Sequence, residues 1–294
     1  MNIYQAPVTA NEVLRDILRS VLGDIDLNTV TRSMLAQAGY ALAGGPGRDC
    51  NEAMDYFCRS FLAAHGNSNY LPATNGEEWL VSRLSDAKVV FDVGANVGEW
   101  SLMARKHMPH ADIRAYEINP ATAAKARESL TGSGVKLFEY GLGALHEHGR
   151  TTTITTYSRS TELTNRYGYP HGDAIGELDV PIRAGCHEMD GLERIDLLKI
   201  DVEGGEYDVL DGFCPHLANI EVIQFEYGRT CIPAGWLLKD MYELLSGYWI
   251  GKLYPSWVDF KEYHPEHEDF LGPNYVAVKK DRMDLVERLK KEGA

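Results

Sequence analysis

The sequence predicts an α/β protein built on a parallel sheet with helices on both faces. Three observations point there. From about residue 76, short β-branched or aromatic runs alternate with helical patterns, the signature of strands joined by crossover helices. The first of these runs, ending at Val93, passes into a glycine loop and then straight into a helical pattern. The chain has 294 residues, 44% of them hydrophobic, enough to bury a full-sized core.

The elements follow in order. Residues 1–75 carry helical patterns and no strand-like run, and form a helical N-terminal extension; residues 76–294 form the main domain. Within the extension, Thr9 and Glu12 have capping-box spacing, and Val13, Ile17, Leu18, Val21 and Leu22 then recur at helical intervals. A second pattern, through Val30, Met34, Leu35 and Ala38, stops at Gly39. A third uses Met54, Phe57, Cys58, Phe61 and Leu62 and ends in Gly66-Asn67-Ser68-Asn69. Such a prefix suits a lid, a homo-oligomer surface or plain packing. In the main domain, strands are expected at residues 89–93, 112–116, 135–140, 195–200, 220–225 and 275–278. Helices are expected at 100–107 and 120–130, the second with Pro120 near its first position. Thr151 to Thr156 reads as a Thr-rich strand or hairpin. Open sheets of this kind bind ligands at the carboxyl ends of their strands, so the loops there are where chemistry belongs.

Composition narrows the partners. With 29 Lys+Arg against 43 Asp+Glu, the formal net charge is −14. That surface repels nucleic acid, whose binding rests on cationic side chains neutralising phosphates, and an acidic membrane leaflet alike. No stretch approaches the roughly 20 apolar residues of a membrane span, and the start lacks a basic segment followed by an apolar run. The five cysteines are odd in number, widely spaced and without a Cys-x-x-Cys pair, as expected of thiols in a reducing cytoplasm.

The loop after the first strand reads Asp92-Val93-Gly94-Ala95-Asn96-Val97-Gly98. Its glycines allow a sharp turn and close approach of backbone to a ligand. Glu117, at the end of the second strand, is placed to accept both hydroxyls of a ribose. Together they point to a bound adenosine cofactor. The dinucleotide fingerprint Gly-x-Gly-x-x-Gly is absent, and Asp92 close to the loop would repel a pyrophosphate. An acid there suits the sulfonium and ammonium of S-adenosylmethionine. The loop after the fourth strand continues Lys199-Ile200-Asp201-Val202-Glu203-Gly204-Gly205-Glu206. Alternation puts Lys199 and Asp201 on one face, Asp201 at the strand end and Lys199 one pleat below, paired with a carboxylate. Glu206 suits a helix cap, Glu203 either a cap or the site.

These segments, with Tyr116-Glu117-Ile118-Asn119-Pro120 between them, resemble the FkbM-type methyltransferase family over about residues 88–280. The most specific motif is Leu198-Lys199-Ile200-Asp201-Val202-Glu203-Gly204-x-Glu206. The resemblance implies a Rossmann-like, mostly parallel, seven-stranded sheet of the class I methyltransferases, with S-adenosyl-L-methionine as cofactor. It implies that Gly94, Ala95, Asn96 and Gly98 line the methionine end, with Asp92 beside them. Glu117 would hold the ribose, Ile118, Gly141 and Leu142 would lie near the adenine, and Asp201 near the reactive methyl. Ile118 stands where the family usually has Pro. The implied reaction is O-methylation of a sugar, glycan or natural-product hydroxyl.

Such a hydroxyl benefits from a base within hydrogen-bond reach. Asp201, Glu203 and Glu226 are the candidates, with His187 a weaker one. Carboxylates converging on one sheet edge also suit a hard cation, but no metal ligands are assigned. Ser158 to Glu162 could line the acceptor, and His264 to Asp269 reads as a solvated acidic loop. The competing readings are a short-chain NAD(P)-dependent reductase, for which Tyr248 and Lys252 match Tyr-x-x-x-Lys, and a non-catalytic methyltransferase-like subunit.

Overall fold

The structure, a computed structural model, describes residues 58–157, 165–167 and 174–291. The chain divides into two compact units, Met1–Leu62 and Ala63–Ala294. The first two expected helices lie outside the described residues. Of the third, residues 58–65 are helical and end in a turn at 66–67.

The second unit holds an eight-stranded mixed sheet. Its parallel half consists of β1 (Val89–Val93), β2 (Asp112–Tyr116), β3 (Lys136–Phe138), β7 (Ile195–Ile200) and β8 (Ile220–Glu226). Antiparallel β9 (Tyr248–Tyr254), β10 (Trp257–Phe260) and β11 (Asn274–Lys279) extend it past β8. The order is β10-β9-β11-β8-β7-β1-β2-β3. The seven strands implied by the family resemblance are therefore eight. The additional pairing is possible because Gly251 in β9 has no side chain: a Cβ there would lie 2.6 Å from the Asp259 backbone of β10. A second sheet, ordered β4-β6-β5, joins β4 (Gly141–Gly143) and β6 (Ala174–Ala184) to the Thr-rich β5 (Arg150–Tyr157).

Alternation along the central strands divides the core. Phe91, Leu198, Ile223 and Phe225 face one side, with Val209, Leu210 and Phe213 of α4 (Glu206–Phe213). Val90, Leu197, Val222 and Val276 face the other. There they meet Leu80 and Val81 of α1 (Glu77–Arg83), Trp100 and Ala104 of α2 (Glu99–His107), and Leu285 and Val286 of α6 (Met283–Leu289). Full burial of each such side chain is worth roughly 1.5–3 kcal/mol. Helix α3 (Pro120–Ser129) starts as its sequence requires: Asn119 caps it by accepting from Ala121 N at 3.0 Å, and Pro120 opens it. The remaining labelled helix is α5 (Leu238–Leu244). Because β1, β2, β7 and β8 run parallel, the loops after Val93, Tyr116, Ile200 and Glu226 emerge on one edge.

Among the described residues no helix is long and apolar enough to cross a membrane. Cys58, Cys186, Cys214 and Cys231 are free thiols.

Candidate active site

The loop after β1 is held by the end of β2: the amides of Gly94 and Ala95 both donate to the Tyr116 carbonyl, at 3.0 and 2.9 Å. Gly94, at φ 82°, and Gly98, at φ 88°, occupy the left-handed region. Both are also required by packing. A Cβ on Gly94 would overlap the Asp201 carbonyl oxygen, and one on Gly98 would come within 2.9 Å of Leu130 Cδ2. The glycine loop therefore seats itself against the loop after β7 and against the end of α3. Asn96, also left-handed at φ 49°, donates its amide to Glu117 Oε2 at 2.8 Å. Its Oδ1 is buried and has no hydrogen-bond partner among the described residues.

Glu117 is 7% exposed. Its other oxygen, Oε1, accepts from Asn119 N at 2.8 Å. Burial pushes its carboxyl up to about 7, against the pull of those two amides and of Lys199. Each oxygen takes one amide and keeps capacity for one further donor.

Asp92, expected beside the cofactor, turns inward. It is fully buried, accepts from Ser101 Oγ at 2.7 Å and pairs with Lys199 Nζ at 3.1 Å. The lysine is the pivot anticipated from alternation: Nζ also donates to the Gly94 carbonyl at 3.0 Å and lies 3.5 Å from Asp201 Oδ2. Burial alone would depress Lys199, but the Asp92 and Asp201 charges dominate and hold its pKa above the ordinary lysine range. Asp201 keeps 45% of its side chain exposed, at the mouth of the loop.

Beside Glu117 opens a pocket with about 470 Å³ of atom-free space. Gly94, Ile118, Gly141 and Leu142 line it, so the residue that departs from the family pattern is part of its wall. A Cβ on Gly141 would overlap Ile118 Cδ1, so the two residues pack closely in this wall. Ile154, Ile182, Asn165, Arg166 and Val202 are also in the lining. Four of these, all but Val202, sit on or between the strands of the second sheet, and no sequence motif marks them. The one usable signal is Ile154, the lone large apolar residue within Thr151–Thr156 and 1% exposed.

The three acids proposed as bases converge. Asp201, Glu203 and Glu226 each place a carboxylate oxygen within 4.8 Å of the others. Loss of solvent, and then the Asp201, Glu203 and Glu206 charges, drive the Glu226 carboxyl well above the usual range. Glu203 stands at φ 58°. Glu206 is 1% exposed; its Oε1 accepts from the amides of Val202 and Gly204 at 2.9 and 3.3 Å, so it braces the turn before α4, which has no side-chain cap, rather than capping the helix as expected. Its carboxyl is pushed up to about 7, first by burial. Such a triangle of oxygens can accept a proton or hold a hard cation.

The other singled-out residues lie elsewhere. His187 is exposed on the turn that leads to the amino end of β7, stacked on His148 with ring centroids 3.7 Å apart. In the 264–269 tract, Glu268 accepts from the amides of Leu238 and Lys239 at the start of α5 and from Tyr227 and Tyr263, a structural clamp. Tyr248 and Lys252 stand on strand β9, so the Tyr-x-x-x-Lys spacing is not on a helix and the reductase reading fails. Ser158 to Glu162 lie outside the described residues.

Comparison with known proteins identifies the family. Residues 92–275 match the family described as the methyltransferase FkbM domain. The chain is 26% identical over 154 residues to Methyltransferase 1 of Beauveria bassiana, covering 45% of this chain and 61% of that protein. It is 25% identical over 185 residues to 2-O-methyltransferase NoeI of Sinorhizobium fredii, covering 58% and 76%. A solved FkbM methyltransferase from Methylobacillus flagellatus aligns with a TM-score of 0.37 at 16% identity, over 65% of this chain and 44% of that one. The family match spans most of the chain, from Asp92 at the glycine loop to Tyr275 in the last strand: the protein belongs to the FkbM methyltransferase family, whose methyl donor is S-adenosylmethionine.

Proposed function

We propose that the protein is an O-methyltransferase acting on a hydroxyl of a sugar, glycan or natural product. The observation that carries this reading is the triangle of Asp201, Glu203 and Glu226 at the sheet edge next to the glycine loop. When bound, S-adenosylmethionine supplies a methyl group on a sulfonium sulfur. The chain's own residues fit it. Glu117 has one acceptor site left on each oxygen for the two ribose hydroxyls. The orphaned Asn96 Oδ1 suits the ammonium of the methionine end, beside Gly94, Ala95 and Gly98. Ile118, Gly141 and Leu142 offer a narrow apolar wall for the base. Asp92 acts from beneath, fixing Lys199, which in turn holds the Gly94 carbonyl and Asp201.

An acceptor hydroxyl is a weak nucleophile and must shed its proton as it attacks. Burial, and then the neighbouring Asp201, Glu203 and Glu206 charges, raise the proton affinity of Glu226, which brings it closer to the strength a useful base needs. Glu226 is therefore the member of the triangle best placed to take the proton. A divalent cation bound by the same three oxygens is the second reading, favoured by their spacing. NoeI is by name a 2-O-methyltransferase, which supports oxygen as the accepting atom here. We further read residues 1–75 as a helical extension serving as a lid or homo-oligomer surface, and the cytoplasm as the compartment. Incubation with isotope-labelled S-adenosylmethionine and a panel of hydroxylated acceptors tests the function. Label recovered as an O-methyl ether is the expected product; label exclusively on nitrogen or carbon would overturn the reading.

A further inference from the structure

Asn165, Arg166 and Tyr167 lie in the long connection between β5 and β6, outside every motif considered above. The backbone of Asn165 is bridged to Thr155 of β5 in both directions, at 2.9 and 3.4 Å. Asn165 and Arg166 line the pocket with Gly94, Ile118 and Leu142. The Arg166 guanidinium is held by its terminal nitrogens. Both contact the Glu147 carboxylate, Nη1 at 3.2 Å, and Nη1 also lies 3.6 Å from Asp208 Oδ2. Tyr167 secures the same segment: its hydroxyl donates to Asp208, and its ring lies where a Cβ on Gly204 would make van der Waals contact at 3.4 Å.

This arrangement leaves one group unexplained. Arg166 Nε is buried and has no hydrogen-bond partner among the described residues. A buried N–H that has lost water and gained nothing is costly, and native proteins seldom keep one without a use. Both terminal nitrogens contact carboxylates, so Nε is the one guanidinium nitrogen with no partner among the described residues, on a residue that walls the pocket. The two carboxylates also outweigh the guanidinium charge, so the site raises no electrostatic barrier to a cationic cofactor. Around it, Ile118, Leu142, Ile154 and Ile182 form walls suited to a flat base, whose ring nitrogens are acceptors.

We propose that Arg166 is a cofactor-binding residue that donates its Nε–H to a ring nitrogen of the adenine, with Glu147 and Asp208 fixing the guanidinium for that bond. The proposal rests on the reading of this pocket as the cofactor site.

Calorimetry on the full chain, with adenosine and with S-adenosylhomocysteine as separate probes, tests it. Arg166→Lys keeps the charge and loses the Nε donor; Arg166→Ala loses both. Each is expected to weaken both probes by the same factor of about ten or more, equivalent to about 1.4 kcal/mol. Unchanged affinity in Arg166→Lys would overturn the proposal, and this variant decides the matter if Arg166→Ala does not fold. Weakening of S-adenosylhomocysteine without weakening of adenosine would also overturn it, by moving Arg166 to the amino-acid end. A wild-type chain that binds neither probe would remove the pocket assignment itself. Loss of binding in Glu117→Ala with no effect in either Arg166 variant would keep that assignment and remove only this one.

Discussion

Lys199 and Asp92 face one another as register partners across β7 and β1, with Nζ and Oδ1 3.1 Å apart and both side chains buried. This pair sits under the site and joins its two loops, because the same ammonium holds the Gly94 carbonyl and reaches Asp201. Removing one partner leaves the other as an uncompensated buried charge. Lys199→Met is therefore expected to cost about 3–5 kcal/mol, read from the denaturant midpoint. Asp92→Asn combined with Lys199→Met should recover part of that loss. A single mutant as stable as the wild type would show that the pair does not support the edge.

The proposed ribose contact of Glu117 predicts how cofactor affinity depends on pH. Burial pushes its carboxyl up to about 7, and in that role only the ionised form would accept from both ribose hydroxyls at full strength. Affinity for S-adenosylhomocysteine should fall as pH is lowered from 8 to 6. Glu117→Gln should weaken binding at pH 8 and flatten the profile. A profile unchanged by the substitution would assign the titration to another group.

Glu206 predicts a different pH effect, on the fold. It binds its proton more tightly in the folded chain, at about 7, than a free glutamate does. Its contribution to stability is thus present below the unfolded value near 4.5 and is lost as pH rises through about 7. The loss is on the order of 3 kcal/mol at most. Glu206→Gln keeps the acceptor for Val202 and Gly204 and removes the charge, so it should stabilise the protein at pH 8 relative to pH 5. Thermal melts of both chains across that range measure the difference; parallel curves would refute it.

The carboxylate triangle predicts a separation of binding from chemistry. Asp201→Asn and Glu226→Gln should lower methyl transfer by about 10²–10⁴, the usual worth of a positioned base. S-adenosylhomocysteine affinity should change only a few-fold. Transfer that survives EDTA supports the proton-acceptor role. Transfer abolished by EDTA and restored by Mg²⁺ would give the three oxygens to a cation instead.

Much of this was legible without coordinates. Val89–Val93, Asp112–Tyr116 and Ile195–Ile200 declare themselves by β-branched and apolar runs, and Pro120 and Asn119 announce α3 by side-chain chemistry that acts over one turn. Glu117, Asp201 and Lys199 were legible for the same reason: strand alternation and the parallel-sheet rule put their side chains at one edge. Local rules fix local geometry, and a βα loop is local.

What only the tertiary structure decided depends on residues far apart in the chain. Strand β10 exists because Gly251 leaves room for the Asp259 backbone. Asp92 looked like a cofactor ligand by proximity to the glycine loop. Its oxygens were claimed by Lys199, 107 residues later, and by Ser101. The pocket roof, Asn165 and Arg166, carries no motif, because its position is set by Glu147 and Asp208 on other elements. The sequence by itself determined the parallel strands β1, β2, β7 and β8, the methyl donor and the acids at their carboxyl ends. Which of those acids stay near solvent and which are spent on internal charge was decided by burial and by the partners that folding brought to each of them.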